Sequence, residues 1–249
     1  MIPTVILSHK RADKVLTKKA VANCLLCVPQ SQADEYAEHN PELELLIHPD
    51  DIIGISPKRQ WVLDKLGDCF QLDDDLNGIL RVYIPKEHTY PIKLTPQEAY
   101  GLIQDTYEIA KELRCGIFGF NKSANPICYS GAKPIQHNTF INGAALGFIS
   151  GRNISFPQDF LKLIGEDHYI NFLNAYYNRY SYVDTRFGIS AKQTNAQTGG
   201  CADFRTDEIR KQSFIYLKKC FGDCFVPKNK HKGIKENIMN YECTMNIPF

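Results

Sequence analysis

The sequence predicts an α/β protein built on an open, mostly parallel sheet. Short apolar runs alternate with polar helical stretches through the first third of the chain. Each apolar run stops abruptly at a polar loop, which is where open α/β sheets place their ligands. With 249 residues, 43% of them hydrophobic, the chain can bury one substantial core. A charged content of 23% with only 16 Gly and 13 Pro excludes disorder, collagen and low complexity.

The elements follow in order. Thr4 to Leu7 reads as a strand running into the loop Ser8-His9-Lys10-Arg11, followed by a helix around Thr17 to Asn23 and a strand from Leu25 to Val28. Ser31 to His39 is a second helix. Leu43, Leu45 and Ile47 alternate with Glu44 and His48, the period of a half-buried strand. Ser56-Pro57 predicts a helix start, with Ser as N-cap and Pro at the first helical position, and that helix ends near Gly67. Cys69 to Leu72 is a buried strand that stops at Asp73-Asp74-Asp75. Thr95-Pro96-Gln97-Glu98 is a capping box, and Ala99, Leu102, Ile103, Thr106, Ile109, Ala110 and Leu113 mark the apolar face of a long helix. Strands are expected at Gly116 to Phe120 and Thr139 to Ile149. One helix should end at Ile164, and two more should cover Asp167 to Tyr177 and Thr206 to Cys220. No repeat or flexible linker interrupts the chain, so residues 1–249 read as one domain with two lobes.

The longest uncharged stretch, Pro134 to Gly151, carries Gln, His and Asn and cannot be a membrane span. The first residues run into a strand without a cleavable signal pattern, so the expected compartment is the cytoplasm (the host cytoplasm if the protein is viral). Nine cysteines include Cys24-x-x-Cys27 and Cys220-x3-Cys224. On a strand, residues three apart point to opposite faces, so reduced, mostly buried thiols are expected rather than a zinc site.

Three constellations carry chemistry. In an extended Asp73-Asp74-Asp75, Asp73 and Asp75 face one side and can reach one Mn²⁺ or Mg²⁺, which keeps positions open for phosphate oxygens; the plain alternative is a solvated acidic turn. Lys58 and Arg59, in the first turn of a helix, suit an anion or else a solvated basic surface. Gly165-Glu166-Asp167 precedes a helix, where the acids are either dipole partners or a general base facing a substrate.

The order of these motifs resembles the nucleotide-sugar half of GT-A-fold glycosyltransferases. More narrowly, Ile6-Leu7-Ser8-His9-Lys10-Arg11-Ala12-Asp13 and Gln71-Leu72-Asp73-Asp74-Asp75 resemble the TET/JBP-associated glycosyltransferases, the phage and base-J-type enzymes that glycosylate hydroxymethylated pyrimidines in DNA. The resemblance is good over residues 4 to 80, looser from 135 to 205, and positional beyond. It implies a GT-A-like Rossmannoid sheet with a DxD metal site, residues 1–80 forming the nucleotide-sugar half and residues 81–249 an acceptor-side lobe with closing elements. Ser8, Arg11 and Asp13 would border the base and ribose. Lys58, Arg59 and Asp74 would lie toward the diphosphate, and Asp73, Asp75 and a late His231 would hold the metal. Gly143 would belong to the donor-sugar loop, with Gly200 and Arg205 closing over the donor. Asp167, or else Glu166, would deprotonate the acceptor in an inverting reaction.

Implied with this are a UDP-sugar donor, of glucose or arabinose type, and a DNA acceptor bearing 5-hydroxymethylcytosine. Neither a membrane nor an obligate protein partner is expected. The net charge of +1 conceals an asymmetry: residues 42–75 hold nine Asp/Glu against three Lys/Arg, whereas residues 205–235 hold nine Lys/Arg against three Asp/Glu. The basic segment, interleaved with Phe214, Tyr216, Phe221 and Phe225, suits a phosphate backbone or is an exposed helix with a core-facing stripe. Tyr176, Tyr177, Tyr180 and Tyr182 could stack on an extruded base or simply pack. The competing readings are transfer to a protein, glycan or small molecule, nucleotidyl transfer, and a non-catalytic nucleotide-binding domain.

Overall fold

The computed structural model describes residues 1–84, 90–191, 206–227 and 243–245. The strands are β1 (Thr4–Leu7), β2 (Cys24–Pro29), β3 (Glu44–His48), β4 (Cys69–Asp73), β5 (Leu76–Arg81), β6 (Ile92–Lys93), β7 (Ile117–Asn121), β8 (Ile135–Gln136), β9 (Ala145–Phe148), β10 (Tyr182–Ala191), β11 (Phe225–Pro227) and β12 (Cys243–Met245). The α-helices are α1 (Ala33–His39), α2 (Ile55–Leu66), α3 (Pro96–Glu112), α4 (Glu166–Asn178) and α5 (Asp207–Phe221). One 10-stranded sheet has the order β3-β2-β1-β4-β9-β7-β10-β5-β6, with β8 on β10; β11 and β12 form a separate pair.

β3, β2, β1 and β4 run parallel, as does β10 beside β7. β9 is antiparallel to both of its neighbours, β4 and β7. β4 and β7 therefore point the same way, and their carboxyl ends, Asp73 and Asn121, share one edge of the sheet. Helices cover both faces. Ala99, Ile103 and Ala110 of α3 pack on one face with Ile6, Leu26 and Phe70, and Val62 of α2 packs on the other with Val5, Leu7 and Leu146. Cys24 belongs to the first core and Cys27 to the second, as strand alternation requires. Burial pushes the thiols of Cys24, Cys27 and Cys69 up to about 12, which keeps them protonated. Among the described residues no helix is long and apolar enough to cross a membrane.

Several elements differ from expectation for identifiable reasons. Thr17 to Asn23 forms only a 3₁₀ turn, Thr17–Lys19, because Leu16 and Thr17 turn their amides onto the carbonyl of Asp74. α2 starts two residues early, at Ile55, with Gly54 rather than Ser56 at the N-cap position. Gly54 has φ +98°, and a Cβ there would stand 2.8 Å from the Leu161 carbonyl oxygen, so only glycine fits. On β3 the alternation is reversed at its end. Ile47 is 46% exposed and His48 is 1% exposed, because the His48 ring packs against Trp61 of α2 at 5.8 Å. The capping box of α3 is fully formed, but Ile109 and Leu113 lie at the margin of its stripe and stay partly exposed, while Tyr107 and Gln104 turn inward. Residues 139–144 are irregular, and only Ala145–Phe148 of the expected strand pairs. No helix ends at Ile164; its amide donates instead to Ser213 Oγ of α5 at 3.0 Å.

The end of β4 is clamped. Asp74 and Asp75 form a turn, and β5 leaves at once for the far side of the sheet. Thr17, fully buried, donates its hydroxyl to the Asp73 carbonyl at 2.6 Å and accepts the Leu76 amide at 3.0 Å. Removing that hydroxyl orphans a buried acceptor and a buried donor. Thr17→Val should therefore cost about 1–3 kcal/mol per orphaned group, read as a lower urea midpoint at unchanged slope.

Candidate active site

The three adjacent aspartates occupy three environments. Asp74 is 4% exposed. It accepts Ser8 Oγ at 2.5 Å and Arg11 NH1 at 2.9 Å. Tyr36 completes this knot, its hydroxyl lying 2.7 Å from Ser8 Oγ and accepting the Arg11 amide at 3.0 Å. Asp74 thus faces inward and positions Ser8 and Arg11. Asp13 stands outside the knot, exposed, 4.0 Å from Lys14.

Asp73 keeps 40% of its side chain exposed while its Oδ1 accepts Arg59 NH2 at 2.9 Å. Withdrawal from water pushes its carboxyl up to about 6, against the pull of Arg59, and the charges of Asp75, Asp74 and Asp167 push the same way. Because the strand ends at Asp73, simple alternation does not carry through to Asp75; the turn leaves Asp75 half-buried, with its charge felt at Asp73.

Lys58 and Arg59 are not a solvated basic surface. Lys58 is buried and donates from Nζ to the Ser8 carbonyl at 2.7 Å. Arg59, 1% exposed, reaches from α2 to the sheet edge. Beyond Asp73, its NH2 donates to the Gly143 carbonyl at 2.8 Å, its NH1 approaches Gln71 Oε1 at 3.4 Å and its Nε lies 3.5 Å from Glu166 Oε1. Gln71 returns a hydrogen bond to the Arg59 carbonyl at 3.1 Å.

α4 brings in the second pair of acids. Gly165, left-handed at φ +89°, turns the chain so that the helix opens with Glu166 and Asp167. Asp167 Oδ2 accepts the Gly143 amide at 3.2 Å, and Oδ1 accepts the His168 amide at 2.9 Å and lies 3.1 Å from His168 Nδ1. Burial alone would raise the Asp167 carboxyl, but the hydrogen bonds from His168 and Gly143 overcome it and hold it below the usual range. Glu166 is helped by a backbone hydrogen bond from its own amide, the smallest of the effects on it. Burial and the neighbouring Asp167 push it up to about 7, with Arg59 opposing. A Cβ on Gly143 would stand 3.1 Å from Asp167 Cβ and 3.5 Å from Arg59 NH2, so a bare backbone is what lets the loop pass between them.

The acidic turn and the acidic helix start, 90 residues apart, thus meet across Arg59. Hard divalent cations bind through one or two carboxylates together with substrate phosphates, and Asp73 and Asp75 are the carboxylates that could take part in such a site. Among the described residues no group of three or more His, Cys, Asp or Glu could hold a metal without a ligand's help. Gly200, Arg205 and His231 lie outside the described residues.

A model of the TET-Associated Glycosyltransferase family matches residues 2–200. The chain belongs to that family. It is a glycosyltransferase, and the matched span encloses every described residue of the site. No curated protein sequence matches it. Among solved structures it is similar to the crystal structure of S. aureus TarS 1-349, with 12% identity and a TM-score of 0.46 over 88% of this chain and 66% of that one.

Of the two readings of the aromatic residues in the basic segment, the core-facing stripe is the one observed: Phe214, Tyr216, Phe221 and Phe225 pack with Leu163, Phe172 and Leu217. Tyr182 is core, whereas Tyr176 is 69% exposed. At 1.5 Å per residue, Tyr176 lies about 13 Å along α4 from Asp167.

Four residues of this glycosyltransferase escape sequence reasoning: Thr17, Tyr36, His168 and Asn171. Asn171 is buried; its Oδ1 accepts the Ile141 amide at 2.9 Å, and its Nδ2 donates to the carbonyls of Ile141 and Asp167, both at 2.8 Å. It fastens the Gly143 loop to the first turn of α4. Asn171→Leu should lower stability by about 1–3 kcal/mol in urea titration, and transfer should weaken more than donor binding because the loop slackens against Asp167.

Proposed function

We propose that this glycosyltransferase moves a glucose- or arabinose-type sugar from a UDP-sugar to the hydroxyl of 5-hydroxymethylcytosine in DNA, in the cytoplasm, with Mn²⁺ or Mg²⁺. The observation that carries the donor side is the convergence on Arg59 of Asp73, from the strand end, and Glu166, from the helix start, beside Asp167. In this reading residues 1–249 form one GT-A-like unit, residues 1–80 its donor half and the rest its acceptor and closing elements. Ser8 and Arg11 border the nucleotide, and Lys58 and Arg59 add positive charge beneath the diphosphate. Asp73 and Asp75 hold the divalent cation, which when bound neutralises charge on the leaving diphosphate.

In the inverting form of the reaction the acceptor oxygen bonds to the anomeric carbon as the bond from that carbon to the diphosphate breaks. The electron pair leaves with UDP, and the hydroxyl proton passes to the Asp167 carboxylate. Its hydrogen bonds favour the charged form of Asp167 and aim it, whereas burial beside Asp167 raises Glu166 and disfavours its charged form. Ser8, Lys10, Arg11, Asp73 and Asp75 carry the sequence resemblance from which the acceptor is inferred, and the charge of residues 205–235 supports it.

Asp73→Ala with Asp75→Ala should abolish Mn²⁺-dependent UDP binding in calorimetry while the circular dichroism stays that of the folded protein; unchanged affinity refutes the donor site. Asp167→Asn should keep UDP binding and lose transfer by about 10²–10⁴-fold. Nucleoside mass spectrometry after incubation with Mn²⁺, UDP-sugars and hydroxymethylcytosine DNA reads the product. Absence of both product and low-salt DNA binding would redirect the acceptor to a protein, glycan or small molecule.

A further inference from the structure

Asp167 is gripped from two directions, and one grip has no part in the reaction as described so far. His168 Nδ1 stands 3.1 Å from Asp167 Oδ1, in addition to the His168 amide at 2.9 Å on the same oxygen. An ionised carboxylate offers only lone pairs, so a nitrogen at this distance carries the hydrogen. The imidazole is itself held. The ring of Phe140 lies 4.7 Å from it at 40°, and the ring of Phe225 meets it edge-on at 6.3 Å and 88°. Phe140 precedes the Gly143 loop, while Phe225 is buried in the cluster that α5 makes with Leu163 and Phe172. The ring therefore spans from the carboxylate to the packing of the C-terminal helix.

We infer that His168 is a positioning residue for this glycosyltransferase: its Nδ1–H fixes the rotamer of the Asp167 carboxylate, so that the oxygen facing the cleft stays aimed at the acceptor hydroxyl. The inference rests on the assignment of Asp167 as base and deepens it. Without the ring's hydrogen bond the carboxylate keeps the two amides, which fix where its oxygens can be reached but not how sharply the group is aimed. A base swung out of line costs rate rather than binding. His168 exchanges no proton with substrate. It also ties the carboxylate to α5, through Phe225.

Three proteins and two readouts test it. His168→Phe keeps a ring between Phe140 and Phe225 but removes the donor; His168→Asn places an amide nitrogen near the lost Nδ1. With UDP-glucose, Mn²⁺ and hydroxymethylcytosine DNA, His168→Phe should lower kcat on the order of 10- to 100-fold while KM for UDP-glucose changes by less than about twofold, and His168→Asn should recover most of the loss. Wild-type kcat in His168→Phe, or no recovery in His168→Asn, overturns the inference. Full transfer by Asp167→Asn would instead overturn the base assignment.

The second readout needs neither donor nor acceptor. In ¹⁵N-histidine NMR of the whole protein, the His168 signal, assigned by its loss in His168→Asn, should show the hydrogen on Nδ1. Asp167→Asn should redistribute it between the two ring nitrogens. A spectrum unchanged by Asp167→Asn overturns the inference even if DNA is not the acceptor.

Discussion

The site depends on one buried guanidinium. Burying Arg59 is costly unless every partner is in place, because removing a cation from water forfeits several kcal/mol that only well-placed acceptors return. Here the four acceptors come from three separate parts of the chain: Gln71 and Asp73 on β4, the carbonyl of Gly143 in the loop before β9, and Glu166 at the start of α4. Because arginine donates in a fixed planar fork, meeting those acceptors fixes their relative positions and not merely their proximity. A lysine could neutralise the charge but could not define the geometry. The guanidinium is thus the point where the donor half of the sheet and the acidic helix start acquire a common frame.

Three consecutive aspartates illustrate how backbone geometry, rather than residue identity, assigns roles. The strand ends at Asp73, and Thr17 holds the departing peptide in a turn. Asp74 is thereby rotated into the protein, where two donors consume its charge, and Asp73 and Asp75 are left partly open with excess negative charge between them. The crowded charges of this turn raise the Asp73 carboxyl, with the charges of Asp75 and Asp74 both acting in that direction.

Much of this was legible in the sequence because it rests on local rules. The edges of β1, the capping box of α3 and the sheet-facing stripe Ala99, Ile103 and Ala110 follow from periodicity and end signals within a dozen residues. The opposite orientation of Cys24 and Cys27 follows from strand alternation alone. What failed depended on remote partners. Gly54 is held to glycine by the Leu161 carbonyl, 107 residues away, which no local signal shows. The amides of Leu16 and Thr17 are tied to the carbonyl of Asp74, likewise remote in sequence. Asn171 in mid-helix looks like an ordinary polar position until the Ile141 loop arrives to use both ends of its amide. Tyr36 looks like core, and it is, but its hydroxyl is the part that matters. Such polar staples carry no sequence period.

The two acids at the start of α4 are neighbours in sequence and opposites in chemistry, and the difference follows from what reaches each. Asp167 collects three hydrogen-bond contacts, from the Gly143 amide, the His168 amide and the His168 ring, and hydrogen bonds to the charged form lower a carboxyl even in a dry setting. Glu166 receives the edge of a guanidinium that is already shared with Asp73 and Gly143 and a weak hydrogen bond from its own amide, which together are too little to offset burial beside a charged neighbour. Pushing two adjacent carboxyls apart in this way, one lowered and the other raised, eases the mutual repulsion that two buried anions would suffer. The separation also explains the geometry's dependence on Gly143. Its amide serves Asp167 and its carbonyl serves Arg59, so the backbone of one residue lowers one acid directly and, by drawing on the guanidinium, leaves less of it for the other.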